Sequence, residues 1–202
     1  MRDLPFSPAC ENNKEPILGH LREVFAEVQE VLEIGSGTGQ HAVWFATHLP
    51  WVTWQPTEIP ASLAIPRPRC EASGLDNLRA PKALDVCDEP WSLPVPDGIF
   101  TANTLHIMPM SSVRAFFRAL GAGAAVGTRL AVYGPFNYGG QYTSHSNAQF
   151  DASLRARAPH SGIRDSEEID PLARAAGFWQ CADHSMPANN RMLVWQRQAV
   201  PR

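Results

Sequence analysis

A short apolar segment that runs into three glycines constrains the fold of this chain most. Residues 31–34 are typical of a buried strand, and Gly35, Gly37 and Gly39 follow them directly. Apolar residues then return at helical spacing, which predicts a helix. Glycines let the backbone turn sharply at a strand tip and approach a ligand, while the helix presents free N–H groups. The segment therefore predicts a strand, a ligand-binding loop and a helix.

The spacing of these glycines excludes the dinucleotide fingerprint. That fingerprint reads Gly-x-Gly-x-x-Gly, and its third glycine would fall at Gln40. A site for a nucleoside also needs an acidic residue at the end of the second strand, because a carboxylate can accept hydrogen bonds from both hydroxyls of a ribose. Glu58 follows Gly39 at close to the roughly 20 residues that nucleotide-binding layouts use. We therefore expect a nucleoside-containing ligand other than NAD.

Strand and helix patterns alternate along the rest of the chain, which is typical of an α/β domain with a mainly parallel sheet. Helices are predicted at residues 16–28, 40–49, 111–120, 148–158 and 167–176. Strands are predicted at residues 31–34, 51–55, 83–86, 98–103 and 128–133, and a closing hairpin at 178–185 and 191–196. Prolines between residues 58 and 81 leave only short helical pieces there. We expect one domain over residues 1–202, with a polar insertion at 134–165.

Charge and composition exclude several classes of protein. The net charge of −3 offers no long-range attraction to nucleic acid or to anionic lipid. No segment reaches the roughly 20 apolar residues of a membrane span, and no secretory signal is visible, so a cytoplasmic location is expected. The four cysteines show no Cys-x-x-Cys spacing, so we predict no metal site. The oligomeric state stays open.

With Glu33 two residues before the first glycine, the loop resembles that of class I S-adenosylmethionine-dependent methyltransferases. More narrowly, the chain resembles the methyltransferase-like protein twenty-six family. The specific motifs are Thr-Gly-Gln-His-Ala at residues 38–42 and Met-Pro-Ala-Asn-Asn at residues 186–190. Similar segments lie at residues 7–17, 84–91, 103–107, 133–136 and 143–151. Two departures are Glu58 in place of the family's Asp and the proline-broken stretch that follows it.

The resemblance implies a Rossmann-like, seven-stranded, mostly parallel sheet with helices on both faces and an antiparallel last strand. It implies S-adenosylmethionine as cofactor, but no acceptor. The residues expected to bind the cofactor are Glu33, Gly35, Ser36, Gly37, Thr38, Gly39, Gln40, Glu58, Asp85, Val86 and Asn103. Asp85 would accept a hydrogen bond from the adenine amino group, and its alternative is a residue that caps its own loop.

The segment before the first predicted helix is polar and contains proline. Its spacing resembles neither a strand nor a helix, so residues 1–14 are predicted as a lid that excludes water from the cofactor. Asn12 and Lys14 would then face the ligand. The alternative is a lead-in that caps the helix.

Ligands of open α/β sheets bind beyond the carboxyl ends of the strands, which predicts an acceptor site near the glycine loop. His106 is the candidate general base, and its alternative is a histidine that only packs or holds the loop. Arg155, Arg157 and Arg164 favour a solvated helix face over an anion site. The other candidate substrate-binding residues are Tyr133, Tyr138, His145, Asn147, Asn189 and Asn190.

These features predict a methyltransferase for a small or medium-sized polar acceptor. Residues 103–106 lack the Asp/Asn-Pro-Pro-Tyr/Phe motif of exocyclic-amine enzymes, and no proline precedes a cysteine as in carbon-5 cytosine enzymes. No acidic cluster for Mg²⁺ is recognisable. One alternative is a non-catalytic binder of S-adenosylmethionine or S-adenosylhomocysteine that acts through a protein partner. An NAD oxidoreductase is disfavoured by Gln40 and by the absence of a Tyr-x-x-x-Lys pair.

Overall fold

The computed structural model describes residues 4–199, so residues 1–3 of the predicted lid lie outside the described part. The helices are α1 (Pro8–Val24), α2 (Gln40–His48), α3 (Arg67–Ala72), α4 (Met110–Gly123), α5 (His145–Arg157) and α6 (Ser166–Ala175). The strands are β1 (Glu30–Ile34), β2 (Thr53–Glu58), β3 (Lys82–Ala83), β4 (Gly98–Ala102), β5 (Arg129–Gly134), β6 (Phe136–Asn137), β7 (Arg164–Asp165), β8 (Phe178–Met186) and β9 (Asn190–Arg197). Single 3-10 turns form at Pro60–Ser62 and Pro187–Asn189.

Seven strands form one sheet in the order β3-β2-β1-β4-β5-β9-β8. The pairs from β3 to β5 are parallel, whereas β9 runs antiparallel to both of its neighbours. The predicted α/β architecture and its antiparallel last strand are therefore confirmed. The carboxyl ends of β1, β2, β4 and β5 meet at one edge, where loops can build a site.

Apolar side chains cover both faces of this sheet, because neighbouring strand residues point to opposite sides. Val31 packs on the face with α1 and α2, where Trp54 and Phe100 are fully buried. Leu32 packs on the other face with α4 and α6, against Phe116. These two cores hold the sheet edge that carries the site.

The first helix begins at Pro8 and ends at Val24, so the prediction of a non-helical lid over residues 8–14 is wrong. The Ser7 hydroxyl accepts the Cys10 N–H at 3.3 Å, and Pro8 occupies the first helical position, where a missing N–H costs nothing. Asn13 then shares the buried face of α1 with Ile17. Residues 8–14 are therefore the start of α1, and their role in covering a bound cofactor stays a prediction.

Other boundaries also differ from the predicted ones. Strand β2 continues through Pro56, which was expected to end it. Trp54 and Glu58 form backbone hydrogen bonds on the side of β2 that faces away from β1. Pro56 lies between them and faces the same side, where no strand residue pairs with it. Its missing N–H therefore removes no hydrogen bond from the sheet. Helix α5 begins three residues before its predicted start at residue 148, because Ser144 caps it, and Asp165 caps α6.

None of the helices within residues 4–199 is long and apolar enough to cross a membrane.

Candidate functional site

A cavity of about 870 Å³ lies at the carboxyl edge of the sheet, a size within the usual range of small-molecule sites. Its wall includes the ends of β1, β2, β4 and β5, the first turns of α1, one side of α5 and the turn before β9. Residues from the glycine loop and residues around His106 line this same cavity. The sheet therefore places residues from the predicted cofactor site and from the predicted acceptor site around one space.

The three glycines after β1 all have positive φ, at 73°, 54° and 75°. Gly35 and Gly37 line the cavity together with Ser36 and Thr38, but Gly39 does not. A β-carbon at Gly39 would lie 3.2 Å from both Cys70 Sγ and the Pro66 carbonyl oxygen. The predicted ligand contact of Gly39 is therefore corrected, because this glycine allows α3 to pack against the loop.

Glu58 lies where β2 ends, and its carboxylate lines the cavity. Its Oε2 accepts the Gly37 N–H at 2.8 Å, and its Oε1 accepts the Ile59 N–H at 3.0 Å. A carboxylate oxygen has two lone pairs, so each oxygen can still accept a hydroxyl proton. The carboxylate is thus oriented by the backbone and keeps capacity for a diol.

Glu33 lies behind the glycine loop, 2% exposed and outside the cavity wall, so its predicted direct contact with the cofactor is corrected. Its carboxylate accepts hydrogen bonds from Ser36 Oγ at 2.8 Å and from Trp54 Nε1 at 3.0 Å. Burial raises the pKa of Glu33 to about 7, although both hydrogen bonds oppose that shift. Glu33 therefore supports the loop from below.

Gln40 is also absent from the wall, because its side chain holds the start of α1. Its Oε1 accepts the Ser7 N–H at 2.6 Å and the Thr38 hydroxyl at 2.9 Å. Arg69 donates to the carbonyl oxygens of Thr38 and Pro5, at 3.0 and 2.6 Å. Residues 5–7 are thereby fastened to the glycine loop, and Ser7 lines the cavity.

The first turns of α1 contribute Asn12, as predicted, and also Asn13. Asn13 Oδ1 lies 2.7 Å from Nε2 of His41, a ring whose pKa is lowered to about 4 by burial. Burial raises the pKa of the Tyr133 hydroxyl, while the side chains of Asn13 and Asn190 oppose that shift. Polar side chains from α1, α2, β5 and β9 therefore lie together beside the cavity, and one of them is a neutral imidazole.

Two further predicted cofactor residues, Lys14 and Asp85, also lie outside the cavity wall. Lys14 pairs with Glu11 and lies 4.2 Å over the Trp44 ring, outside the cavity wall. The Asp85 carboxylate accepts the Cys87 N–H at 2.9 Å, so the loop-capping alternative describes its contact. Val86 does line the cavity, as expected.

His106 and Asn103 line the cavity where β4 ends. Asn103 adopts a φ of 55°, which Asn tolerates, and its N–H bonds the Tyr133 carbonyl at 2.8 Å. His106 is 5% exposed and meets the Phe150 ring edge to face at 5.5 Å. Burial, and then the charge of Arg164, lower the pKa of His106 to about 4. Its imidazole is therefore neutral at neutral pH.

A segment before α6 holds the His106 loop through its backbone. The Gly162 N–H donates to the His106 carbonyl and the Ser161 hydroxyl to the Ile107 carbonyl, both at 2.9 Å. Arg164 donates to the Leu105 carbonyl at 3.0 Å and also to the Met108 carbonyl. Arg164 is therefore buried in a structural role, and the expectation of a solvated face is wrong for this residue.

Of the predicted acceptor residues, Tyr133, Asn147 and Asn190 line the cavity. Asn147 also donates to the Asn189 carbonyl at 3.0 Å, which ties α5 to the turn before β9. The other three are engaged outside the wall, so their predicted contact is corrected. Tyr138 donates to Asp183 at 2.8 Å, His145 lies 3.1 Å from Gln149, and Asn189 donates to Ser146 at 3.2 Å.

Apolar residues that the sequence did not indicate complete the wall beside His106. They are Ile107, Met108, Pro135, Phe150, Pro187 and Ala188. Glu58 is the one Asp, Glu, Lys or Arg among the cavity-lining residues of the described chain. No group of three or more His, Cys, Asp or Glu that could hold a metal occurs between residues 4 and 199.

Several solved methyltransferases share this fold. The S-adenosylmethionine-dependent methyltransferase SibL in its apo form matches with a TM-score of 0.78 at 22% identity, covering 95% of this chain and 56% of that one. An O-methyltransferase family protein from Burkholderia thailandensis matches with a TM-score of 0.81 at 18% identity, covering 96% of this chain and 58% of that one. Human N-acetylserotonin methyltransferase in complex with S-adenosylmethionine matches with a TM-score of 0.80 at 14% identity, covering 95% of this chain and 53% of that one. The likeness shows the class I methyltransferase fold.

This chain spans little more than half the length of those three structures. The model of a family described as "Protein of unknown function (DUF938)" matches residues 4–197. That match extends over nearly the whole sequence, and the chain belongs to the DUF938 family.

Proposed function

We propose that this protein is an S-adenosylmethionine-dependent methyltransferase that acts on a small, uncharged acceptor, and that it falls within the methyltransferase-like protein twenty-six group. The observation that carries the proposal is that the glycine loop and Glu58 line one continuous cavity together with His106. A donor and an acceptor can meet only if one space connects their sites.

The donor half fits S-adenosylmethionine, which supplies a sulfonium methyl group when bound. Glu58 would hold the ribose hydroxyls, because its oxygens keep free lone pairs at the cavity surface. Gly37 would allow close backbone approach, since a β-carbon there meets no protein atom within 4 Å. Leu84 and Val86 offer an apolar surface for a base.

The acceptor half would be built by His106, Asn103 and Tyr133, with Asn147 and Phe150 supplied by residues 134–165 of the same domain. No Lys or Arg lines the cavity within the described chain, and the net charge is −3, so nucleic acid is not the proposed substrate. The polar acceptor expected from the sequence is revised to one with an apolar body, because the wall beside His106 is largely apolar.

The alternative is a non-catalytic S-adenosylmethionine or S-adenosylhomocysteine binder that acts through a protein partner. Such a protein needs no open space beside His106, yet the cavity extends there. Incubation with methyl-labelled S-adenosylmethionine and metabolite extracts distinguishes the two. We expect a labelled small product that decreases by about 10²-fold with His106→Asn while cofactor affinity is kept. Cofactor binding without any labelled product would favour the alternative.

A further inference from the structure

We propose that Asn13 binds the carboxylate of the methyl donor and that His41 is the residue that positions the Asn13 amide. This inference rests on the proposed function and adds two residues to the donor half, beside the glycine loop and Glu58. It follows from the direction in which the donor crosses the sheet, from a buried amide with free N–H groups, and from two helices that begin next to it.

The order of the strands determines which end of the donor lies near α1. Glu58 at the end of β2 would hold the ribose, and Leu84 and Val86, just after β3, would hold the base. Because the strand order is β3-β2-β1-β4, the rest of the donor extends past β1 toward β4. The first turns of α1 and the start of α2 border the cavity with the ends of these two strands. The amino-acid end of the donor therefore lies against α1 and α2.

Asn13 is a buried amide that borders this space. It is 7% exposed and lines the cavity, and its Oδ1 accepts a hydrogen bond from Nε2 of His41 at 2.7 Å. An amide oxygen can only accept, so the neutral His41 ring carries its proton on Nε2. This hydrogen bond fixes which end of the amide faces His41. The Asn13 Nδ2 atom is thereby directed away from the ring.

The N–H groups of Asn13 have room for a ligand. Nδ2 donates no hydrogen bond to a protein atom in the described chain, where the enclosed side-chain atoms without a partner belong to Trp44, Gln55 and Asn137. Asn13 therefore keeps access to the cavity. An amide nitrogen has two N–H groups, so a contact with the nearby Tyr133 hydroxyl still leaves one of them. A buried donor of this kind calls for an acceptor from the ligand.

The surroundings of Asn13 favour an anion as that acceptor. Ala9 and Cys10 in the first turn of α1 and His41 in the first turn of α2 all line the cavity. The N-terminus of a helix carries partial positive charge, so two such ends provide it here without any Lys or Arg. The amino-acid end of the donor has a carboxylate, which accepts hydrogen bonds, and an ammonium, which only donates. Asn13 therefore selects the carboxylate.

Three adenosine thioethers separate the groups at this end of the ligand. They are S-adenosylhomocysteine, its decarboxylated form, which keeps the amine, and methylthioadenosine, which lacks the whole amino-acid end. Calorimetry on the full chain measures their dissociation constants. Asn13→Asp keeps an acceptor for His41 but replaces the N–H groups by a negative oxygen. We expect S-adenosylhomocysteine to bind about tenfold or more weakly, and the decarboxylated form to bind as well as before or more tightly.

Two further variants complete this experiment. Asn13→Ala should also weaken S-adenosylhomocysteine binding by about tenfold while methylthioadenosine affinity is kept. Asn189→Asp is the matched control, because it adds the same charge outside the cavity wall and should leave all three affinities unchanged. Equal weakening of all three ligands by Asn13→Ala, or an unchanged affinity for S-adenosylhomocysteine, would overturn the inference. Wild-type protein that binds no S-adenosylhomocysteine would instead overturn the proposed function.

His41→Phe tests the positioning role. Phenylalanine keeps a ring that can stack on Phe45, as His41 does at 5.1 Å, but it cannot donate to Asn13. We expect S-adenosylhomocysteine binding to weaken by about threefold or more relative to methylthioadenosine. In Asn13→Ala protein the same substitution should not change that ratio, because the two residues act as one unit. An effect of equal size in both backgrounds, or none in either, would contradict the role of His41.

Discussion

The carboxylate of Glu58 accepts the backbone N–H of Gly37 at 2.8 Å, so the end of β2 is tied to the glycine loop that follows β1. A second link lies beneath it, where Ser36 Oγ accepts the Thr57 N–H at 3.1 Å and donates to Glu33. The acid and the loop therefore move as one unit, and the carboxylate has a defined direction before any ligand binds. This relationship leads to the first prediction.

Glu58→Ala should weaken S-adenosylmethionine and S-adenosylhomocysteine binding by about 1.5–3 kcal/mol, the range for hydrogen bonds to a charged group. Calorimetry measures the loss, with NAD as a ligand expected not to bind. Asp85→Ala is the matched control, because its carboxylate caps its own loop and should leave affinity unchanged. An unchanged Glu58→Ala affinity, or tight NAD binding, would refute the assignment of the donor half.

Glu33→Gln should change how stability depends on pH. Burial raises the folded-state pKa of Glu33 from its ordinary 4.5 to about 7, so between these values the folded chain binds more protons than the unfolded chain. Its contribution to stability therefore falls as pH rises through this window. At pH 8 the variant should be more stable than wild type by up to roughly 3 kcal/mol, with little difference at pH 4.5.

Urea unfolding at both pH values measures this effect. The exposed Glu27→Gln is the control and should leave the difference between the two pH values unaltered. A Glu33→Gln protein that is less stable than wild type at pH 8 would show that the charged carboxylate is needed by Trp54 and Ser36.

Arg164→Met should loosen the loop that carries His106. The guanidinium holds the carbonyls of Leu105 and Met108, and its loss leaves buried acceptors unpaired at about 1–3 kcal/mol each. Hydrogen exchange should accelerate at residues 105–108, while S-adenosylhomocysteine affinity changes little. Arg157→Met, on the exposed side of α5, serves as the control. Unaltered exchange in Arg164→Met would contradict the bracing role.

Gly39→Ala should destabilise the fold by more than Gly127→Ala. Both glycines have positive φ, at 75° and 94°, so each substitution incurs about 1–2 kcal/mol of backbone strain. A β-carbon at Gly127 meets nothing within 4 Å, whereas at Gly39 it presses on Cys70 and Pro66, which adds about 1–3 kcal/mol. Thermal unfolding compares the two variants. Equal losses of stability in the two variants would mean that α3 shifts to accommodate the added β-carbon at no cost.

The architecture was largely predictable, because strand-to-loop transitions and glycine spacing are local signals. In the donor half, the same signals located the glycine loop and Glu58 at the cavity, but not that Glu33 and Gly39 lie behind its wall. Asn13 was missed because α1 was predicted to begin at Pro16. Once the helix starts at Pro8, Asn13 falls on the same face as Ile17 and Leu21, and a polar residue on an apolar face is the signal that reveals it.

The acceptor half was less predictable for a physical reason. Ile107 and Phe150 lie in a loop and on the weakly amphipathic α5, so no periodicity indicates which of their neighbours face the cavity. Tyr138, by contrast, has the polar chemistry of a site residue, but its hydroxyl is bound to Asp183 on β8. Such pairings depend on contacts between distant segments, which spacing alone does not encode.

The central claim is that one cavity holds the methyl donor and the acceptor side by side. A crystal structure of the protein with S-adenosylhomocysteine tests it most directly. The account predicts the ribose at Glu58, the backbone of Gly35 and Gly37 against the ligand, and the thioether sulfur open toward His106 and Phe150. A ligand bound elsewhere, or a sulfur sealed from His106 by protein, would contradict the claim.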